Sequence, residues 1–475
     1  MKKSLLPIAL FFLNFTSAQV QNSGFENSAN NDSNDWYVKK TENYEGIIDT
    51  ETGYQGKQSM RLTGKQDDLK TFMPFSQGVP LNLNKIQKIE ISAYIKSENI
   101  RGDIGLWTQV RDAKNEKIGF GNSTSQNRKV AVNKDWTKYS LEFVVDENAK
   151  KLIVGGLLSG SGTVWFDDFE IKEIPFSEKP TSEIAWNYIQ QFRNIIQKNS
   201  LFSDKIEWNS FDEDLSKISK GMETIDDTKL ALDYMIKKLR NVGDNHSFIV
   251  SKERVAERKV RNSTGIEPEY QLIDQSIGYV KVPGFSSSNT EIANEFAQKI
   301  HDFIKELDSQ NTIKGWIVDL RNNTGGTIYP MILGLGSLIG DGTLGYFVTK
   351  DRKTPWVMEN GKYGRNEIFN PYKIKNFDSK IAVLIGPKTV SAGEATTIAF
   401  IGKSNVKLFG QPSSGKTSAN QLFALSDGKE LALAVSYEMD RTGKEYRETI
   451  NPDIFVNDFQ ESDETLETAK KWIFE

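Results

Sequence analysis

Near residue 175 the hydrophobic period of this chain changes, and no single layered fold accommodates both sides of the change. From residue 20 to about 174, short β-branched and aromatic runs (89–95, 138–144, 152–158 and 164–171) alternate with clusters of Asn, Gly, Ser and Asp. Strands at that spacing predict an antiparallel all-β sandwich over 19–175. Pro175 and Pro180 bracket a linker, and beyond it the pattern becomes helical. Ile184, Tyr188, Phe192, Ile195 and Ile196 share one face, as do Leu232, Met235, Ile236 and Leu239. These runs predict a helical segment over 176–260. Residues 261–475 then alternate strands (277–282, 315–320, 381–386, 406–409) with helices opening near Asn289 and Ser391, which predicts an α/β core.

Composition removes whole classes of chemistry. The chain has no Cys and only two His, His246 and His301. Cysteine nucleophiles, disulfides and thiolate metal sites are excluded, and a histidine-rich metal centre is hard to assemble. No catalytic cofactor is implied. Residues 1–18 place Lys2 and Lys3 before a short apolar run and the small-residue end Thr16-Ser17-Ala18, the pattern of a secretory signal peptide. An exported protein without a transmembrane anchor is expected, because no later stretch approaches about 20 apolar residues. Without Lys2 and Lys3 the formal charge moves from −4 to about −6, so nucleic acid is not an expected partner.

Three segments of the α/β region carry chemistry-bearing residues. Residues 381–395 read as a buried strand, a tight connection and then Ser391 opening a helix, where backbone N–H groups stabilise a developing oxyanion. An N-cap serine would look the same. Asp319-Leu-Arg-Asn-Asn-Thr-Gly-Gly326 comes directly after another strand, and its two glycines allow a sharp turn that aims N–H groups at a neighbouring site. Gly410 to Thr417 formally completes a Gly-x-x-x-x-Gly-Lys-Thr phosphate loop. Residues 421–428, just beyond it, read as a strand and turn rather than a helix, so nucleotide binding is not expected. His246 stands where a helix gives way to a strand. His301, beside the apolar stripe of its helix, is expected to be solvated.

Taken in order, residues 239–247, 318–326, 389–395 and 410–416 resemble the tail-specific, or C-terminal-processing, serine peptidases. The resemblance implies a crotonase-like core, a polypeptide substrate, Ser391 as nucleophile, and oxyanion donors from Ala392 and the Gly325-Gly326 turn. About 30 residues separate His246 from the strand at Ile277, too few for the PDZ domain usual in members with a Ser–Lys dyad. The chain therefore looks more like the PDZ-less branches related to the tricorn core, where a histidine is the base and a distant glutamate completes the site. His246 and Glu448 are near those positions, while Lys416 matches the dyad lysine. Either base could deprotonate Ser391, the lysine only after strong desolvation.

The N-terminal half resembles jelly-roll carbohydrate-binding modules at Asn22-Ser-Gly-Phe-Glu26 and Trp165-Phe-Asp-Asp-Phe-Glu-Ile171. That likeness implies a structural calcium near Glu26 and Asp168, with surface carboxylates as the plain alternative. It also implies glycan as a partner, with Trp36, Tyr37, Tyr44, Tyr54, Trp107 and Trp136 as the aromatics available for stacking, most of them expected in the core or rim. The expectation is an exported serine peptidase. Its competitor is a non-catalytic protein binding glycan or an apolar ligand on a peptidase-like scaffold.

Overall fold

The computed structural model describes residues 20–27, 35–39, 41–66, 71–124, 130–457 and 462–475. The expected leader, 1–18, lies outside them. The chain divides into two compact units, one running to Gln190 and including 206–242, the other comprising 191–205 and 243–475. The helical segment expected over 176–260 is thus shared between them.

The first unit holds β1 (Tyr37–Val38), β2 (Tyr44–Asp49), β3 (Ser59–Gly64), β4 (Phe72–Pro80), β5 (Gln87–Arg111), β6 (Lys117–Asn122), β7 (Thr137–Val145) and β8 (Lys151–Ile174). All pair antiparallel in one eight-stranded hydrogen-bonded network. The runs 152–158 and 164–171, expected as separate strands, are one continuous β8. Its glycines do not make turns. A Cβ on Gly155 would stand 1.9 Å from the Phe75 carbonyl oxygen, and one on Gly160 would stand 2.1 Å from that of Arg101. Glycine here admits the close approach of neighbouring backbones. Phe25, Trp36, Phe75, Phe166 and Phe169 are buried together in the core of this unit. Tyr44 and Trp107 are buried too, whereas Tyr54 and Trp136 are half-buried and Tyr37 is exposed.

Helices α1 (Glu183–Asn199) and α3 (Lys229–Asn241) follow the predicted apolar stripes, and α2 (Trp208–Ser219), which the sequence reading did not single out, lies between them in the chain. Lys237 of α3 is 2% exposed and pairs at 3.0 Å with the fully buried Asp146, which Lys238 also approaches at 3.4 Å. Burial pushes the Asp146 carboxyl up, but the charges of Lys237 and Lys238 outweigh it and hold the group below the usual carboxylate range. A pair this buried adds little net stability, yet it penalises any seating of α3 that parts its members.

The second unit contains β9 (Phe248–Val250), α4 (Lys252–Val260), β10 (Glu269–Ile273), β11 (Ile277–Lys281), α5 (Thr290–Gln310), β12 (Gly315–Asp319), α6 (Ile328–Gly334) and α7 (Gly336–Ile339). It continues with β13 (Gly342–Val348), β14 (Lys353–Glu359), β15 (Lys362–Tyr363), β16 (Asn366–Glu367), β17 (Lys380–Ile385), α8 (Ala392–Ile398) and β18 (Val406–Gly410). Last come β19 (Ser418–Ala424), β20 (Glu430–Asp440), β21 (Glu445–Tyr446), β22 (Ile454–Phe455) and α9 (Glu464–Phe474).

One sheet runs β10-β11-β12-β17-β18-β22, parallel from β11 onward. Val280, Val318 and Val383 pack with α5 residues Phe296, Ile300 and Ile304 in one cluster. Ile317, Ala382 and Leu384 pack with Ala469 and Ile473 of α9 in another. Two covered faces explain why these strands read as unbroken apolar runs. The other sheet runs β16-β15-β14-β13-β20-β19, with β9 and β21 also paired to β20. Asn289 caps α5, its Oδ1 accepting from the N–H of Glu291 at 2.9 Å and of Ile292 at 3.3 Å.

His301 is not solvated as the sequence suggested. It is 2% exposed, and its Nε2 accepts from the Tyr372 N–H at 2.9 Å. The loop carrying Tyr372 covers a helix position that periodicity placed beside the stripe, so a long-range contact reversed a local reading.

Candidate active site

Ser391 occupies the connection between β17 and α8 at φ 54°, ψ −117°. That region costs a non-glycine residue on the order of 1–3 kcal/mol and persists only where surrounding contacts impose it. The contacts are plain. Thr389 Oγ1 donates to the Leu320 carbonyl at 2.9 Å, Val390 N–H donates to the Asn323 carbonyl at 2.9 Å, and Ser391 N–H donates to Glu394 Oε2 at 2.7 Å. The end of β12 and the first turn of α8 thus hold the serine from both sides.

The Gly325-Gly326 turn lies against this connection. A Cβ on Gly325, at φ 85°, would stand 2.6 Å from the Val390 carbonyl oxygen and 2.9 Å from Ser391 Cβ. Only glycine fits there. Gly325 N–H is already engaged, donating to Asn323 Oδ1 at 3.0 Å. Among the described residues, nothing accepts from the N–H groups of Gly326 or Ala392. The turn is anchored at its start by Arg321, which pairs with Asp319 at 2.7 Å and with Asp463 at 2.6 Å. Tyr279 OH also donates to Asp319, at 2.9 Å.

His246 follows α3 in a turn organised by Asp244, whose Oδ1 accepts from the N–H of His246 at 3.0 Å and of Ser247 at 2.9 Å. Its ring is buried, with Nδ1 2.8 Å from the Ser418 carbonyl oxygen on β19. A carbonyl only accepts, so Nδ1 carries the proton and Nε2 keeps its lone pair. Burial first, and the nearby charge of Lys416 second, lower the ring pKa to about 4. The imidazole is therefore neutral, with Nε2 unprotonated, throughout the neutral range.

Lys416 is half-buried on the turn before β19. Asn245 Nδ2 donates to the Gly415 carbonyl at 3.2 Å, which ties this turn to the His246 segment. Glu448 is exposed, and its backbone carbonyl accepts from Thr417 Oγ1 at 3.1 Å. The structure thus gathers the segments of Ser391, His246 and Lys416, together with the Gly325-Gly326 turn, while Glu448 borders the lysine turn with its side chain toward solvent. No hydrogen bond joins Ser391 Oγ to either base among the described residues; such bonds tighten when substrate arrives.

Sequence reasoning passed over Glu394, which links these parts. Its buried carboxylate accepts from Ser391 N–H, from Lys416 N–H at 3.0 Å, from Gly415 N–H at 2.8 Å and from Ser413 Oγ at 2.6 Å. Burial raises its pKa, with the four hydrogen bonds opposing. The signal was present as a Ser-x-x-Glu spacing at a helix start. Glu394→Gln replaces one accepting oxygen by a donor facing N–H groups. The expected result is a loss of about 2 kcal/mol in denaturant unfolding and a fall of about 100-fold in kcat, with KM changing far less.

In the first unit, Glu26 Oε1 accepts from the N–H groups of Lys57 and Gln58, both at 2.8 Å. Burial, opposed by backbone hydrogen bonds from Tyr54 and Asp168 and aided by the charges of Asp168 and Glu26, raises Asp167 to about 6. The charges of both expected carboxylates, Glu26 and Asp168, thus reach Asp167. Among the described residues, no three His, Asp or Glu side chains are arranged to hold a metal ion.

Comparison with known proteins places this arrangement in a class. The description "Peptidase family S41" matches residues 276–456, a span that contains Ser391, Lys416 and the glycine turn but not His246. A nisin-resistance protein of Lactococcus lactis is 31% identical over 341 residues, covering 68% of this chain and 97% of that protein. The chain belongs to peptidase family S41, as its tail-specific-peptidase motifs predicted. A carboxyl-terminal-processing protease of a Synechocystis species is 29% identical over 183 residues, 38% of each chain. A lipoprotein structure from Streptococcus agalactiae superposes with a TM-score of 0.52 at 27% identity, covering 62% of this chain and 97% of that one. No helix among the described residues is long and apolar enough to cross a membrane.

Proposed function

We propose that this protein is an exported serine peptidase that hydrolyses polypeptides through an acyl-enzyme on Ser391, with His246 as the base. The observation that carries the reading is a strained serine at a strand-to-helix connection, linked through Glu394 and the 413–416 turn to the segment of a buried histidine whose tautomer leaves the Nε2 lone pair free to accept. His246 Nε2 takes the Ser391 Oγ proton as Oγ bonds to the scissile carbonyl carbon. The carbonyl electron pair moves to oxygen, where the N–H groups of Ala392 and Gly326 stabilise it. Collapse breaks the C–N bond, and the departing amine takes the proton from His246. Water, deprotonated in turn by His246, attacks the ester, and Ser391 recovers its proton.

Lys416 has a different part in this reading. Its charge helps keep the imidazole neutral, and Glu394 fixes its backbone beside the nucleophile. Fluorophosphonate labelling of the purified chain, with peptide turnover, tests the proposal; the likeness to a nisin-resistance protein makes nisin the first polypeptide to offer. A chain that neither labels nor hydrolyses any peptide would return the scaffold to a binding role.

In the same reading the second unit has a crotonase-like core and the first is a jelly-roll module. A calcium ion near Glu26 and Asp168, completed by backbone carbonyls, would set a positive charge beside Asp167, which burial and neighbouring carboxylates raise, and hard oxygen ligands suit that ion. Millimolar calcium is expected to raise Tm by a few degrees, chelation to reverse the shift, and Asp168→Asn to abolish it. A Tm indifferent to calcium would remove the ion from the description.

A further inference from the structure

The strand register extends the active site beyond its catalytic groups. Phe248 of β9 pairs directly with Ala432 of β20, and Leu422 of β19 pairs with the same Ala432 from the other side. Directly paired residues point to one face of a sheet. Phe248, Ala432 and Leu422 therefore form a single row across three strands. Its two large apolar members are 47% and 41% exposed, while the alanine between them is 1% exposed. Two apolar walls with a small residue between them make a slot the width of one side chain, since adjacent strands lie about 4.8 Å apart.

The next row toward the nucleophile contains the base. Asn420, paired with Ala434, donates from Nδ2 to the His246 carbonyl at 3.0 Å, and Ala434 N–H donates to Ser247 Oγ at 2.9 Å. The His246 ring reaches Ser418 on β19, four residues from Leu422, so it lies over the same face about 13 Å along the strands from the apolar row. In the other direction the row after the slot is closed by charge, for Glu430 pairs with Arg258 at 3.3 Å. The slot thus has a catalytic end and a charged end, and a pair of exposed apolar side chains between them.

We infer that Phe248 and Leu422 form an apolar subsite that takes one aliphatic or aromatic side chain of the polypeptide substrate and so determines where the chain is cut. The occupant is substrate rather than another protein because the slot is continuous with His246 along the same strands. This inference rests on the peptidase reading.

The test uses fluorogenic octapeptides of Gly and Ser in which a single Leu is moved through successive positions. One Leu position is expected to raise kcat/KM of the wild-type protein about 10-fold or more over the all-polar peptide. Phe248→Ser and Leu422→Ser change exposed side chains and leave the core intact. In both variants that ratio should fall toward unity. Equal Leu preference in wild type and both variants would overturn the inference and leave the peptidase reading standing. Fluorescence anisotropy of the same labelled peptides on Ser391→Ala separates the two failures. If the wild-type chain hydrolyses nothing, yet Ser391→Ala binds the Leu peptide more tightly than the all-polar one and loses that difference with Phe248→Ser added, the subsite holds and the peptidase reading falls.

Discussion

Ser391→Ala is expected to lower kcat/KM for any peptide substrate by about 10⁴-fold or more and to abolish fluorophosphonate labelling, with no loss of folded protein. The second part rests on the backbone. Ser391 sits at φ 54°, imposed by hydrogen bonds that involve its N–H and its neighbours, so alanine inherits the same strain and the same support. Ser391→Gly sharpens the test. It is expected to be equally inactive but more stable by about 1 kcal/mol, because glycine adopts that conformation without the Cβ penalty. Denaturant midpoints of the three proteins, measured beside their turnover, separate strain at the nucleophile from its chemistry. Labelling of Ser391→Ala equal to wild type would displace the nucleophile to another residue.

His246→Ala should remove about 10²–10⁴-fold of the rate, and its pH signature is as informative as its size. In the proposed mechanism the neutral ring is the base, and its pKa is held at about 4 by burial and the Lys416 charge. Activity is therefore present at neutral pH and falls only as pH drops toward 4. In Lys416→Met the second of those causes is gone, so the acid limb should move upward toward the ordinary histidine value near 6.5, with a smaller loss at neutral pH. The same ring contributes stability above about pH 6.5, where folded and unfolded forms are both neutral. That contribution is lost as pH falls toward 4, because only the unfolded ring takes up a proton in that window. Activity confined to alkaline pH, abolished by Lys416→Met and retained by His246→Ala, would transfer the base role to the lysine.

Much of the α/β unit was legible because its strands are buried on both faces and its helices amphipathic, two patterns that survive in one dimension. Ser391 and the glycine turn were legible for a related reason, since a tight strand-to-helix connection needs particular residues at fixed spacing. The failures share a cause of the opposite kind. The glycines of β8 looked like turns because glycine serves both a bend and a close backbone approach, and only the neighbours at Phe75 and Arg101 distinguish the two. His301 looked solvated because the residue that covers it, Tyr372, lies 71 positions away. Glu394 was passed over because three of its four donors come from residues 413–416, a turn that sequence reading had treated as a separate motif. The sequence left His246 and Lys416 open as bases, and the His246 tautomer that our proposal uses rests on a ring nitrogen facing Ser418, a fact of tertiary structure.

The Arg321 anchor has a consequence in time rather than in space. Two carboxylates hold that guanidinium, and one of them, Asp463, belongs to the N-cap of α9. The glycine turn beside the nucleophile is therefore braced by a residue made more than 130 positions after it, and α9 also packs against the strands that carry the site. A nascent chain whose ribosome has passed Ser391 but not Asp463 lacks that brace. Residues 463–475 thus hold a carboxylate that braces the Gly325-Gly326 turn, and a chain ending before Asp463 would leave Arg321 with Asp319 but without Asp463.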